Sequence, residues 1–292
     1  MRKRNVLLLV LFSLLIFVGG CGHKTTSDKK IITTTVNTYT EPLKSVVGDK
    51  YHVESIIKSV NVDPHSFSPS SNDAKQVADS RLIVASGLGY DDWVEKIVTA
   101  NSQDKNLIDF SRDVLHKQDG DNEHVWFGVK NVQKLSQAVA QHMSQVDPKN
   151  KAYYQANFKK YKLKLDGLVK REAKLKQQTA GKKAYVTEPL PYYLLKDLGI
   201  SIANPHFAKA VEEDTDPSIE DIKNMEDGLR HHKVSFLVVN KQVTSGIITK
   251  MTNLAKKNKV PIIYFTETLP SDLGYYEWMN GNLSQIERIV KE

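Results

Sequence analysis

The sequence contains a single cysteine, Cys21, among 292 residues. One thiol excludes a disulfide within the chain, and its place at position 21, ahead of the first strand pattern, leaves the folded part without a thiol for zinc ligation or catalysis. After residue 20 no segment is long or apolar enough to span a bilayer, which takes about 20 consecutive apolar residues. There is no repeat at a fixed short period and no low-complexity tract inside the folded part. Basic residues outnumber acidic ones, 41 to 34, but the lysines are spread along the chain. With no clustered basic groove, a nucleic-acid partner has no support.

What is present begins with an export signal. Met1-Arg2-Lys3-Arg4 precedes an apolar run from Val6 to Val18, interrupted only by Ser13. A basic start and a short apolar stretch are the pattern of a secretory leader. The run ends Val18-Gly19-Gly20-Cys21, which resembles the lipobox of bacterial lipoproteins. That resemblance implies cleavage of residues 1–20, a diacylglyceryl group on Cys21 and attachment to the outer face of the cell membrane. Two acyl chains suffice for stable anchoring. The polar residues 21–30 are expected to be a flexible tether. The formal charge of +7 falls to +4 once Arg2, Lys3 and Arg4 leave with the leader.

Apolar β-branched runs alternate with helical patterns through the rest. Ile31–Val36, Val53–Ile57 and Leu82–Ala85 read as strands, as do Lys183–Val186, Phe236–Val239 and Ile262–Phe265. Helical spacing marks Ser71–Ser80, the run Val132, Leu135, Val139, Met143, Val146, and then Tyr192–Leu198, Ser218–Arg230 and Ser245–Asn258. Such alternation predicts an α/β fold with mostly parallel sheets flanked by helices in both halves. Between the halves, Asp147-Pro148 is a helix start, and the following residues to Gln178 hold no proline and one glycine, Gly167. Tyr154, Phe158, Tyr161, Leu163, Leu165 and Leu168 do not keep a heptad, so a single rigid helix is expected rather than a coiled coil. The expected organisation is an N-terminal lobe over 31–146, a linking helix over 147–178 and a C-terminal lobe over 179–292.

Open parallel sheets bind ligands beyond the carboxyl ends of their strands. Four metal-capable side chains fit that rule: His65 beyond the second strand, His124 in a loop before the Val132 helix, Glu188 directly after Val186-Thr187, and Glu267 directly after Phe265-Thr266. Two belong to each half, so a cleft between lobes could gather them. Imidazole and carboxylate donors together suit zinc, manganese or ferrous iron.

Asp63-Pro64-His65-Ser66-Phe67-Ser68-Pro69-Ser70 resembles the first ligand motif of the zinc/manganese solute-binding proteins of ABC importers. Glu123-His124-Val125-Trp126-Phe127 resembles the second, with Glu123 where proline is usual. Thr187-Glu188-Pro189-Leu190-Pro191 looks like the third, with Glu188 where many zinc-specific members carry histidine. Phe265-Thr266-Glu267-Thr268-Leu269-Pro270 looks like the fourth. Ala85–Trp93 is similar to a shared stretch with no ligand role. The set runs in order over nearly all of the processed chain. It implies two α/β lobes joined by one long helix with little hinge motion, and His65, His124, Glu188 and Glu267 as ligands of one divalent metal ion per chain. It also implies delivery of that ion to a membrane permease by what is expected to be a monomer. Asp63 has two open roles, as a partner orienting an imidazole or as a turn residue before Pro64. His206 is the substitute ligand; His231-His232 and His23, His52, His116 and His142 are expected to be structural or exposed.

Two carboxylates with two imidazoles make a harder site than three histidines, which tilts the expectation to Mn2+ with Zn2+ close behind. The segment from His116 to His124 also lacks the His- and acid-rich loop of many zinc-scavenging relatives. Three other functions stay open at this point: a surface adhesin or structural lipoprotein with a vestigial site, a zinc-dependent hydrolase, and a binder of an organic solute. The hydrolase lacks a His-Glu-x-x-His pattern, and four protein ligands would close the site that catalysis needs open. The anchor generates a direct prediction. Cys21→Ala should abolish fatty-acid labelling and release the chain from the membrane fraction; unchanged labelling would rule the lipidated cysteine out.

Overall fold

A computed structural model describes residues 31–291. The leader 1–20, the lipidation position Cys21 and the tether 21–30 lie outside the described residues. The first sheet comprises β1 (Ile31–Val36), β2 (His52–Ile57), β3 (Ser80–Ala85) and β4 (Leu107–Asp109) in the order β2-β1-β3-β4. The second comprises β5 (Lys183–Val186), β6 (Ser201–Ile202), β7 (Phe236–Asn240) and β8 (Ile262–Phe265) in the order β6-β5-β7-β8. Every pairing is parallel. Strands covered on both faces read as continuous apolar or β-branched runs; β7, Phe-Leu-Val-Val-Asn, is buried at all five positions.

Helices α1 (Thr40–Val47), α2 (Ser71–Ala78), α3 (Trp93–Ala100) and α4 (Val129–Val146) belong to the first half. In the second half are α6 (Tyr192–Asp197), α7 (Pro205–Glu212), α8 (Ile219–Arg230), α9 (Gly246–Lys257) and α10 (Tyr275–Lys291). Their starts follow local chemistry. The Ser70 side chain accepts the Asp73 N–H while the Asp73 carboxylate accepts the Ser70 N–H, a closed capping box. Ser218 and Ser245 cap α8 and α9 in the simpler way.

The linking helix is α5 (Lys151–Thr179), 29 residues and about 44 Å long at 1.5 Å per residue. It is preceded by a 3-10 turn, Pro148–Asn150, so the regular helix starts a turn later than Asp147-Pro148 suggests. Tyr154, Tyr161, Leu165, Leu168 and Leu175 are buried, whereas Leu163 is 71% exposed. Helix α10 returns along α5, where Arg171 bonds both carboxylate oxygens of Glu287 at 2.8 Å, together with Ser284 and Asn280.

One core joins the halves. Tyr39, Trp126, Phe127, Phe265, Tyr275 and Trp278 belong to the same buried cluster. The Phe127 ring stacks on Phe265 at 6.1 Å and meets Trp278 at 5.1 Å. Polar bonds repeat the link: Trp126 Nε1 donates to the Glu267 carbonyl at 3.0 Å, Tyr275 Oη to the Trp126 carbonyl at 2.7 Å, and Gln242 Nε2 to the Val60 carbonyl at 2.7 Å.

Glu172 of α5 is 3% exposed and one carboxylate oxygen has no hydrogen-bond partner. Burial, reinforced by Asp197 and opposed by Lys130, pushes it up to about 8. A carboxyl held above its ordinary value favours the folded state when protonated, so its ionisation costs stability as pH rises toward 8. Glu172→Gln should therefore stabilise the chain by about 1–2 kcal/mol at pH 8.5 and by much less at pH 5. Urea unfolding at the two pH values checks this; equal effects at both would mean that the carboxyl is not held protonated.

Candidate metal centre

In each sheet the strand order reverses between the first strand of its half and the third, β1/β3 and β5/β7. Loops beyond such reversals form crevices. From the first sheet, the loop after β2 carries Asp63 and His65, and the loop after β3 carries Tyr90. The β3 loop turns through Gly87 at φ +79, where a Cβ would strike the Asp109 carboxylate. Below it, Asp91 accepts the backbone N–H groups of Ser86 and Gly87 and the Thr35 hydroxyl, which fixes the loop. From the second sheet come Glu188 after β5, Gln242 after β7 and Glu267 after β8.

His124 reaches the crevice from the segment before α4 and is 1% exposed. Its ring meets Trp126 at 5.2 Å and Tyr90 at 6.0 Å, and the edge of Tyr90 meets His65 at 4.9 Å. Glu188 Oε2 accepts from Asn240 Nδ2 at 2.8 Å. Gln242 Oε1 accepts the Glu267 N–H at 2.6 Å, and the Tyr90 hydroxyl faces the Glu267 carboxylate without a well-formed hydrogen bond. His65, His124, Glu188 and Glu267 line one cavity of about 120 Å³, with Asp63, Glu212 and Asp214 beside them. Organic ligands occupy pockets of about 300–1,000 Å³; this one has the size for an ion and a few waters.

Donor atoms of His65, His124 and Glu267 lie within 4.8 Å of one another, and His124 Nε2 is 3.9 Å from Glu267 Oε1. Glu188 Oε1, Glu267 Oε1, Glu212 Oε1 and His124 Nδ1 are buried without a hydrogen-bond partner. Buried polar atoms are almost always satisfied, so these four stand out: Glu188 Oε1 and Glu267 Oε1 on the cavity, and His124 Nδ1 and Glu212 Oε1 facing each other at 3.7 Å.

The profile of the family described as zinc-uptake complex component A, periplasmic, matches residues 32–289. The chain belongs to this family. Among curated members, the metal ABC transporter substrate-binding lipoprotein SloC of Streptococcus mutans is 30% identical across 98% of each chain. The manganese ABC transporter substrate-binding lipoprotein PsaA of Streptococcus pneumoniae is 29% identical over the same shares. Of solved structures, the periplasmic zinc-binding protein TroA from Treponema pallidum superposes with a TM-score of 0.75 at 14% identity, over 90% of this chain and 99% of the other. FpvC from Pseudomonas aeruginosa, solved with Mn2+, gives 0.74 at 21% identity, over 90% and 98%. Membership of the zinc-uptake component A family makes the chain a solute-binding component of a metal importer rather than an enzyme.

Within that family frame, all four residues singled out from the sequence line the same cavity, although Glu188 stands outside the tightest triad. Asp63 Oδ1 accepts the His65 N–H at 2.9 Å, the turn role of the two left open for it. His206 is exposed and does not line the cavity. The residue that sequence reasoning missed is Glu212, the last of α7, whose side chain is 6% exposed. It follows Ala208 by four positions, on the helix face that buries Phe207, Ala208 and Val211. A carboxylate on an apolar stripe was the available signal.

Burial is the main cause of every charge shift in the site. It raises Glu267 to about 8, with Glu188, Asp63 and Glu212 adding and Tyr90 opposing. It raises Glu212 to about 7, with Glu123 adding and Lys209 opposing, and Glu188 to about 6, with the Asn240 hydrogen bond opposing. It holds His124 well below its ordinary range, and the charges of His65 and Lys209 push the same way. Carboxyls held high bind protons that the unfolded chain has released, so between pH 8 and about 6.5 acidification stabilises the metal-free fold. Below about 6.5 the neutral His124 works in the opposite direction. Metal binding must displace the carboxyl protons. The metal-free melting temperature should therefore rise from pH 8 to 6.5, while the stabilisation gained from added Mn(II) shrinks over the same interval. Thermal melts with and without metal test this; a gain independent of pH would contradict protonated carboxyls at the site.

Proposed function

We propose that His65, His124, Glu188 and Glu267 hold one divalent transition-metal ion, which the chain captures outside the membrane and passes to its permease. The observation that carries this is one ion-sized cavity lined by all four side chains, on which Glu188 Oε1 and Glu267 Oε1 are buried without a hydrogen-bond partner. Two imidazoles and two carboxylates form a borderline-hard set, and carboxylates can bind through both oxygens to raise the coordination number. Mn2+ is the favoured ion, with Zn2+ next. The names of PsaA and its streptococcal counterparts support manganese, while the family's name supports zinc. The carrier acts as a monomer, tethered at Cys21 by a lipid to the outer membrane face. None of the described helices is long and apolar enough to cross a membrane.

Removing an outer partner of a metal ligand costs about 10–100-fold in affinity, so losing a direct ligand should cost at least the upper end. His65→Ala is expected to weaken Mn(II) binding by about a hundredfold or more. Titration of the processed chain with Mn(II) and Zn(II) in competition measures both the loss and the preference. Stoichiometric binding that is indifferent to His65 would overturn the assignment, and, because zinc binds more tightly than manganese at equal geometry, it is strong Zn(II) preference at physiological free-metal levels that would overturn manganese.

A further inference from the structure

The His124 ring has two faces, and the ligand set proposed above uses one. Its Nε2 faces Glu267, whereas its Nδ1 lies 3.7 Å from Glu212 Oε1. Glu123, His124 and Glu212 form a second group whose donor atoms lie within 4.8 Å of one another. The side chains of His124 and Glu212 are more than nine-tenths buried, and both Nδ1 and Oε1 lack a hydrogen-bond partner. Glu123 is 7% exposed. A second cavity, bounded by Glu123, Lys209 and Glu213, adjoins the inner one; the two share Asp63, His65, Glu212 and Asp214.

We propose that Glu123, Glu212 and His124 Nδ1 form a second divalent-cation position beside the inner cavity, which receives the ion before the inner ligands do. The proposal rests on the inner-site reading. A neutral imidazole carries one lone pair in each tautomer, on one nitrogen or the other. The two positions therefore fill one at a time, and the chain still carries one ion. Two carboxylates and one nitrogen suit a partly hydrated hard or borderline cation. Lys209 bonds the other oxygen of Glu212 at 2.8 Å. That single cation leaves the pair of carboxylates net negative, and its side chain, 54% exposed, is free to swing into solvent when a metal ion arrives. The unusual Glu123, where related motifs carry proline, thereby gains a purpose.

The test uses Zn(II) on the full chain with Glu123→Gln and Glu212→Gln combined, near-isosteric changes whose folding is checked by near-UV circular dichroism. Glu220→Gln is the control, since Glu220 is exposed, bears the same charge and lines neither cavity. In the otherwise unaltered chain, the double variant should slow stopped-flow association about tenfold, with a smaller change in Kd. In the His65→Ala background a weaker one-ion site should remain, and the double variant should weaken it by a further tenfold or more. Glu220→Gln should do neither. Residual binding and association rates unaffected by the two glutamines, or affected equally by Glu220→Gln, would overturn the second position. Binding that His65→Ala leaves intact but the two glutamines abolish would instead sink the inner-site reading and retain the outer position.

Discussion

The arrangement depends on the donor atoms of His124, Glu188 and Glu267 being held dry and unpaired. An imidazole or carboxylate removed from water without a partner costs several kcal/mol, and a chain free to relax would turn such groups toward solvent or toward one another. Here they cannot turn. His124 is wedged among Tyr90 and Trp126, one oxygen of Glu188 is tied to Asn240, and the backbone of Glu267 is bonded on one side by Gln242 and on the other by Trp126. The remaining atoms face a cavity with no protein group to satisfy them, and a divalent cation is the group whose charge offsets that cost.

Holding them requires a scaffold that does not yield, and the shared core supplies it. The rings of Phe127, Phe265 and Trp278 pack across the two halves, so opening the crevice widely would expose apolar surface that the native fold keeps dry. Helix α5 and the returning α10, joined through Arg171, run along the same core. Wide opening of the crevice is therefore costly in such a molecule. The same stiffness keeps the buried carboxyls of Glu188, Glu212 and Glu267 above the ordinary carboxylate range.

Much of this was legible in sequence because it is local or periodic. The six strands read from β-branched runs are present, and so is the long helix, though its first residues form a 3-10 turn because Pro148 opens it tightly. Helices α1, α3, α7 and α10 and the short strands β4 and β6 were not read. β6 has two residues, and β4 three, too few for a period to show. The rule about strand ends singled out Glu188 and Glu267, each two residues past a parallel strand whose sheet fixes its direction; His65 and His124 sit in longer loops and stood out through the motif resemblance.

What the sequence determined by itself was the α/β alternation and the chemical type of the donors. These depend on neighbours a few residues away. Only the tertiary structure decided that residues from both halves meet in one ion-sized space, that Glu212 joins them while His206 does not, and that His124 presents a nitrogen to each of two acidic partners. Those facts depend on which faces of distant elements pack together and on how much water that packing excludes, and no local pattern in the chain records either.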